Sequence, residues 1–236
     1  MNDLEKYWNG KYPQQRIVYT GRSMSKICLA CKNHTLSNKL IIDVRTLVSS
    51  SDIMLQDLIV HNKLKAESND ATMLRIQKFV VRHLKYVGDD ANQGVPEYWQ
   101  FPFETIQTQI GDCEDGAILI ASLALNAGIP AFRVRVSAGM VQSAPTAPEG
   151  GHGYCTYLRE SDNQWTVIDW CYFQNSDVEV SDKPLIVDDK RYKEVWFSFN
   201  NNFAFAHKSF DIGTRLISLT RLSACGPGSS STAIRP

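Results

Sequence analysis

The chain has 236 residues, of which 43% are apolar and 21% are charged, and its formal net charge is zero. These values are typical of a globular protein with one medium domain and extensions, or with two small domains. The neutral balance gives no support for binding nucleic acid or a membrane surface through bulk charge, and no segment approaches the roughly 20 apolar residues of a membrane helix.

The N-terminus and the cysteines bear on where the protein works. The first 15 residues are polar and lack the apolar core of a signal peptide, so we expect a cytoplasmic protein. Six cysteines in a chain of this length, without an export signal, do not indicate a disulfide framework. We therefore expect reduced thiols that are available for chemistry.

Residues 1–68 are interpreted as an N-terminal extension of unknown role. A β-branched run at residues 38–48 predicts a strand, and residues 51–64 predict a short amphipathic helix with Ser51 or Asp52 as its N-cap.

The same extension holds the spacing Cys28-x2-Cys31-x2-His34. Zinc needs four ligands, and no second cysteine pair follows. A thioredoxin-like redox role would need a strand-to-helix turn, which the surrounding sequence does not indicate. We expect no metal site and no cofactor, and these three residues stay candidates for metal or redox chemistry beside the simpler interpretation of two surface or half-buried thiols.

Residues 71–86 carry apolar side chains at helical spacing and predict an amphipathic helix. A loop rich in aromatic residues follows, and then comes "GDCEDGAILIASLALNAGIP", residues 111–130. Asp112 can cap a helix there, and Asp115 three residues later is close to a capping-box pattern. The run to residue 127 is apolar almost all round, which predicts a buried helix that begins beside Cys113 and ends at Gly128.

Four strand signals come after this helix. Residues 131–139 alternate Phe132, Val134 and Val136 with polar residues, and residues 152–158 and 164–173 predict an antiparallel hairpin around a turn at residues 159–163. Residues 192–200 are a further aromatic strand candidate. The C-terminal segment, residues 207–236, ends in small polar residues and predicts a flexible tail.

Three residues in this frame suit nucleophilic catalysis. A thiolate is the nucleophilic form of cysteine, and both a helix N-terminus and a neighbouring imidazolium favour it at Cys113, although the acids beside it work against it unless they turn away. His152 begins a strand between two glycines, and Asp169 lies in the partner strand within one diagonal step of it. Taken singly, each has a plainer interpretation: a small buried thiol, a turn histidine and a loop-capping acid. Together they predict nucleophile, base and orienting acid in chain order.

These segments, "GDCEDGAILIASLALNAGIPAFRVRV", "GGHGYCTYL" and "WTVIDW", resemble the core of the transglutaminase-like superfamily, which is related to the papain-like cysteine peptidases. The family pattern of Gly-x-Cys at a helix start, a His on a strand and an Asp on the next strand falls on Cys113, His152 and Asp169. The resemblance covers about residues 69–200, within a predicted transglutaminase-like domain of residues 69–206, and it implies an α+β fold with the cysteine helix packed on an antiparallel sheet.

The resemblance also implies a mechanism. Cys113 would attack an amide carbonyl to form a thioester, His152 would move the proton, and Asp169 would orient the histidine. Family members often use Trp or Gln as a side-chain donor to the oxyanion, so Trp99 and Gln100 are candidates, although a plain core aromatic is the simpler interpretation of Trp99. No acidic cluster of the kind that binds calcium in animal transglutaminases is recognised in the sequence, so a calcium-activated cross-linker is not expected.

The acceptor of the acyl group stays open, since water would give a peptidase or amidase and an amine would give a cross-linker. We expect a peptide or protein substrate, because the loop before His152 is long and made of small residues. The alternative is a structural or assembly protein on the same fold, such as a phage virion component with virion partners, in which the triad is vestigial or used only in maturation. No nucleic-acid or membrane partner is expected.

Overall fold

The computed structural model describes residues 23–27, 39–94 and 97–206. Its helices and strands follow in chain order: β1 Ser23–Ile27, β2 Lys39–Asp43, α1 Ile53–His61, α2 Asn69–His83, β3 Lys85–Tyr86, α3 Asp89–Asn92, α4 Pro102–Thr108, β4 Ile110–Gly111, α5 Cys113–Asn126, β5 Val134–Val141, β6 Gly150–Leu158, β7 Trp165–Ile168, β8 Tyr192–Phe199 and β9 Ala204–Ala206. Short 3-10 turns occupy Val44–Leu47, Ala131–Arg133 and Val180–Asp182.

The main sheet has five strands in the order β7-β6-β5-β8-β9, and all neighbouring strands are antiparallel. Strand β5 is central, and its pairing with β8 shifts register twice, between Ala138 and Gly139 and between Met140 and Val141. Two smaller sheets consist of β1 with β2, which are antiparallel, and β3 with β4, which are parallel.

Helix α5 fills the core on one face of the main sheet. Every residue from Cys113 to Leu125 is buried, because the segment is apolar nearly all round and has neighbours on every side. Asp112 is its N-cap, and the Asp112 backbone N–H donates to Asp115 Oδ2 at 3.2 Å. The chain leaves the helix through Gly128, whose φ of +97° is the left-handed conformation that favours glycine. The fold is therefore α+β, with the cysteine-bearing helix on an antiparallel sheet, as the sequence predicts.

Helices α1 and α2 complete the layer around α5. Leu55 and Ile59 of α1 and Met73 and Ile76 of α2 lie in the same core cluster as α5. The Asp52 side chain caps α1 by accepting from two backbone N–H groups, which confirms one of the two predicted caps. The division of the chain at residues 68 and 206 stays a prediction.

The start of α2 also holds the hairpin of β6 and β7. The Asp70 carboxylate accepts hydrogen bonds from the Tyr157 hydroxyl and from the backbone N–H groups of Glu160 and Ser161 in the hairpin turn. The predicted hairpin and its turn at residues 159–163 are confirmed. The prediction of a strand residue is wrong for Phe132, which lies in a 3-10 turn and is 56% exposed, because Pro130 starts a turn before the strand begins at Val134.

Two glycines let α5 approach the sheet closely. A Cβ atom on Gly116 of α5 would lie 2.2 Å from the Trp170 indole Nε1, and one on Gly153 of β6 would lie 2.9 Å from Glu114 Cα. Side chains at these positions would push the helix start away from β6 and from the segment after β7. None of the helices in the described part of the chain is both long and apolar enough to span a membrane.

We expect Gly116→Ala to destabilise the protein by about 1–3 kcal/mol, the usual penalty of overpacking, although alanine favours a helix by up to about 1 kcal/mol. Gly150→Ala is the control, since nothing lies within 4 Å of a Cβ atom there, and its effect should stay within about 0.5 kcal/mol. Urea denaturation of both variants measures the free energy of unfolding. Equal stability of the two variants would show that the helix does not need this close approach.

Candidate active site

The three residues of the predicted triad come from three successive parts of the fold. Cys113 is the first residue of α5, His152 is the third residue of β6, and Asp169 directly follows β7. All three are buried, with exposed fractions of 0%, 0% and 1%.

His152 and Asp169 are in direct contact. The hairpin register sets Cys155 opposite Ile168. Continued by one residue, this register sets Asp169 opposite Tyr154, which is one diagonal step from His152. His152 Nε2 lies 2.7 Å from Asp169 Oδ2. If Nε2 carries the proton that faces the carboxylate, Nδ1 is the ring nitrogen that can accept one.

The Asp169 carboxylate is held by donors from three directions. Besides His152, it accepts from the Tyr192 hydroxyl of β8 at 2.8 Å and from the backbone N–H groups of Cys171 and Tyr172 at 3.0 and 3.2 Å. Burial by itself would raise the pKa of Asp169, but the charge of His152 and these hydrogen bonds outweigh it and hold the pKa below its usual range. Asp169 is therefore an ionised acid in a fully buried place.

Cys113 lies against both segments that carry the other two residues. Gly153, next to His152, packs on Glu114 at the helix start, and the Trp170 indole N–H, next to Asp169, donates to the Cys113 carbonyl at 3.1 Å. The Cys113 thiol itself lies 3.1 Å from Glu114 Oε2. The structure thus assembles helix start, histidine strand and aspartate segment around one buried point.

A second group of acids surrounds the same helix start. One oxygen each from Asp89, Asp112 and Asp115 lies within 4.8 Å of the others, and the same holds for Asp89, Glu97 and Glu114. The cluster is not visible as a sequence pattern, because Asp89 is brought in from the separate helix α3. Asp115 accepts three hydrogen bonds, from the backbone and side chain of Gln100 and from the backbone of Asp112.

The other acids of the cluster have fewer donors: the Tyr98 backbone N–H donates to Asp89 Oδ2, and the Trp99 indole N–H donates to Glu97 Oε1. Among the described residues no N–H or O–H group reaches Asp89 Oδ1, either Asp112 oxygen or Glu114 Oε1, and all of these atoms are buried. Burial first, and then the charge of Asp115, raises the pKa of Asp89 to about 8. Burial and the neighbouring acids raise the pKa of Asp112 and of Glu114 well above the usual range as well.

A cluster of this kind has the donor set of a hard divalent cation. Calcium and magnesium are bound by oxygen ligands, carboxylates above all. Buried acid oxygens that face one another without a hydrogen-bond donor fit such an ion, because a cation supplies the positive charge that they lack.

Both candidates for a side-chain donor to the oxyanion donate to other groups in this structure, and their oxyanion role stays a prediction. The Trp99 indole N–H donates to Glu97 Oε1 at 2.6 Å, and its ring, 2% exposed, stacks on Phe197 and Phe199. The Gln100 amide donates to the Ile110 carbonyl at 3.0 Å and to Asp115. Trp99 is a core residue, and Gln100 holds the loop before α4 against α5.

The remaining cysteines are distributed as follows. Cys28, Cys31 and His34, the candidates for metal or redox chemistry, lie outside the described residues. Cys155 is fully buried in the core, where burial, and then the charge of Asp169, raise the pKa of its thiol. Cys171 is half-buried, and its backbone N–H serves Asp169.

The amino-acid sequence was also compared with protein families and with curated proteins. Residues 57–171 match the family model described as a transglutaminase-like domain, which confirms the resemblance to that superfamily. A comparison with curated protein sequences gives no match.

Solved structures offer distant likenesses. The EGTA-treated form of LapG from Legionella pneumophila is 19% identical, with 66% of this chain and 73% of that chain covered and a TM-score of 0.48. The calcium-bound form of LapG is also 19% identical, with 69% and 79% covered and a TM-score of 0.48. A candidate cysteine protease from Cytophaga hutchinsonii is 18% identical, with 70% and 53% covered and a TM-score of 0.42.

The buried hydroxyl of Tyr192 offers a test of the Asp169 environment. Tyr192→Phe removes a hydrogen bond to a charged acceptor, so we expect the free energy of unfolding to fall by about 1.5–3 kcal/mol at pH 7. Tyr154→Phe is the matched control. The Tyr154 ring packs against that of Tyr192, with 4.7 Å between the ring centres, but its buried hydroxyl has no hydrogen-bond partner among the described residues.

Removal of the Tyr154 hydroxyl should therefore be neutral or stabilising. Chemical denaturation at pH 7 compares the two variants. If both lose the same stability, the Tyr192 hydroxyl does not stabilise the Asp169 carboxylate.

Proposed function

We propose that this protein, with its transglutaminase-like domain, is a cysteine hydrolase of the peptidase type that acts on peptide or protein amides through Cys113, His152 and Asp169. The observation that carries the proposal is the buried contact of 2.7 Å between His152 Nε2 and Asp169 Oδ2, at the place where both segments meet the helix that begins with Cys113. A buried imidazole paired with an ionised acid, on segments that pack against the start of the cysteine-bearing helix, is suited to nucleophilic catalysis.

The chemistry follows from the roles of the three side chains. His152 Nδ1 takes the proton of the Cys113 thiol, and Sγ attacks the substrate carbonyl carbon to give a tetrahedral oxyanion. The intermediate collapses to a thioester as the C–N bond breaks and the histidine gives its proton to the leaving amine. Water then attacks the thioester with the histidine as base, which releases the acid product and restores the thiol.

Asp169 acts on the histidine alone. Its carboxylate fixes the Nε2–H tautomer and stabilises the imidazolium that forms while the thiol is deprotonated. Its other donors, Tyr192 and two backbone N–H groups, hold it in one orientation. In this orientation Oδ2 stays in contact with the His152 ring.

The oxyanion is assigned to the N-terminus of α5. The first N–H groups of a helix have no intrahelical acceptor, and the helix dipole favours a negative charge there. Trp99 and Gln100 are bound to other acceptors, so the backbone at Cys113 is the donor that the geometry supports.

Access to the thiol requires a movement. Cys113 is 0% exposed, so a substrate reaches it only after neighbouring residues shift. The hairpin loop between β5 and β6 is exposed at residues 143–146 and 148–149, and it leads directly into the strand that bears His152. We assign to this loop one wall of the cleft, which suits an extended peptide.

The acid cluster adds a second proposal, that Asp89, Asp112, Glu114 and Asp115 hold a hard divalent cation such as calcium. The buried oxygens without donors carry this proposal. When bound, the ion would supply positive charge beside the helix start. The acids themselves fix the first turn of α5, since Asp115 accepts from Gln100 and from the Asp112 backbone.

Substitutions of the triad test the hydrolase. Cys113→Ala and His152→Ala should lower peptide hydrolysis by about 10⁴-fold or more, and Asp169→Asn should keep a small residual rate, since nucleophile and base remain. A library of fluorogenic peptides provides the rates, and mass spectrometry detects the acyl group on Cys113. His152→Ala should also slow alkylation of Cys113 by iodoacetamide.

Cys155→Ala is the matched control, because this thiol is equally buried but lies in the core. It should keep its activity at a temperature well below its melting point. Hydrolysis that survives Cys113→Ala would place the active site elsewhere, whereas absence of any acyl-enzyme in the unmodified protein would favour a structural or assembly role on this fold.

The pKa of Asp89, raised from 3.8 to about 8, predicts the pH dependence of stability without a cation. Between these values the folded state holds a proton that the unfolded state has lost, so stability falls as the pH rises from about 4 to 8. A bound cation removes the need for the proton, and calcium should therefore raise the melting temperature, more at pH 8 than at pH 5.

Differential scanning calorimetry in EDTA and in calcium chloride measures this difference. Asp89→Asn should raise the melting temperature in EDTA at pH 8 and weaken the effect of calcium, whereas Asp57→Asn on the exposed face of α1 should change neither. Melting curves in EDTA and in calcium that coincide at every pH would refute the cation site.

A further inference from the structure

We propose that a pocket centred on Arg135, on the sheet face turned away from α5, binds the carboxylate of an acidic side chain in an extended segment of a partner protein. The pocket is lined by Arg135, Ser137, Thr156, Trp165, Ile186, Val195 and Ser198. This binding site does not rest on the hydrolase chemistry proposed above.

Two aromatic rings bracket the Arg135 guanidinium. Its central carbon lies 4.5 Å from the centre of the Trp165 ring and 4.4 Å from that of the Phe205 ring. Arg135 is on β5, the central strand, whereas Trp165 is on β7 and Phe205 on β9, which are two strands away on opposite sides. At about 4.8 Å per strand the two rings approach from opposite directions, so they hold the guanidinium in place.

The guanidinium has no counter-charge in the described part of the chain. Among the described residues no carboxylate and no other hydrogen-bond acceptor contacts it, and the aromatic rings are its partners. It is half-buried, and this burial lowers the pKa of Arg135 below its usual value, with no acid among the described residues to offset the effect. A partly desolvated, immobilised arginine with unused N–H donors is an incomplete ion pair.

Hydroxyl groups form the floor beside the arginine. Ser137 and Thr156 lie 3.1 Å apart through their side-chain oxygens, and Thr156 Oγ1 also contacts the Arg135 carbonyl at 3.4 Å. Ser198 completes the set on β8. A serine or threonine hydroxyl can rotate to donate a hydrogen bond to an anion and carries no charge itself. It can therefore complement an arginine that donates two hydrogen bonds to the same anion.

The size of the pocket decides what kind of group fits. Its volume of about 110 Å³ is well below the roughly 300–1,000 Å³ of pockets for cofactors and drug-sized ligands. It has room for the end of one side chain. A planar carboxylate matches the planar fork of arginine with two parallel hydrogen bonds, and the apolar rim of Trp165, Ile186 and Val195 suits the methylene stem of a glutamate in a longer chain.

The pocket is separate from the His152–Asp169 pair, although both lie along the same strands. Trp165, Val167 and Asp169 are every second residue and so share one side of their segment. From Trp165 to Asp169 the chain advances four residues, which is roughly 13 Å in a strand. Binding of a ligand at Arg135 can therefore be measured without an assay of peptide hydrolysis.

An NMR titration of the full chain tests the proposal. The probes are the blocked peptide acetyl-Gly-Glu-Gly-Glu-Gly-amide, its glutamine counterpart, sodium acetate and inorganic phosphate. The indole N–H signal of Trp165, identified as the one of five that Trp165→Phe removes, reports on the pocket. The glutamate peptide should shift this signal to saturation, and the glutamine peptide should not.

Arg135→Gln should lower the affinity for the glutamate peptide at least tenfold. Arg82→Gln, which removes the same charge from the exposed face of α2, should leave this affinity unchanged. Arg135→Lys keeps the charge but loses the planar fork, and it should weaken binding at least threefold; it replaces the glutamine variant if that one does not fold. Equal shifts with the glutamine peptide, unchanged affinity in both Arg135 variants, acetate that binds as tightly as the peptide, or phosphate that binds more tightly would each overturn the proposal.

Discussion

The buried carboxylate of Asp169 is the group on which the arrangement of the site depends. An isolated charge in the interior costs far more than a folded domain has to spare, so it persists only where donors satisfy it. Here the donors come from β6, from β8 and from the backbone after β7, and they bind three parts of the sheet to one point. The Gln77 side chain of α2 adds a contact at 2.6 Å to the Asp169 carbonyl, so the helical layer takes part as well.

The acids at the start of α5 follow the opposite logic. Asp169 has its donors within the protein, whereas Asp89, Asp112 and Glu114 have oxygens that face other acids. Burial and mutual repulsion then favour protonation, and the cluster stays neutral only by holding protons or a cation. Both environments adjoin the start of α5. On one side Asp169 has hydrogen-bond donors, and on the other side the acid cluster has buried oxygens without them.

Local patterns in the sequence predict those parts of the structure that depend on near neighbours. The period of apolar residues gives α2 and α5, and the turn between β6 and β7 places His152 beside Asp169 by counting residues. Tyr192 and Asp89 escape this reasoning, because each reaches the site from a distant segment, and the pairing of β8 with β5 shifts register twice before Tyr192. The hydrogen bonds of Trp99 and Gln100 escape it for a related reason: their acceptors, Glu97 and Asp115, are identified only in three dimensions.

In the proposed mechanism, the reactivity of Cys113 depends on two opposing electrostatic effects at its thiol. The helix N-terminus and a protonated His152 favour the thiolate, while ionised acids in the cluster oppose it. Glu114 is the decisive neighbour, since its carboxyl group touches the thiol at 3.1 Å and repels a thiolate whenever it is ionised. Neutralising the cluster therefore does more than stabilise the fold. Under the proposed mechanism, protons or a cation held by the cluster would reduce the negative field at the Cys113 thiol and so favour its ion pair with His152.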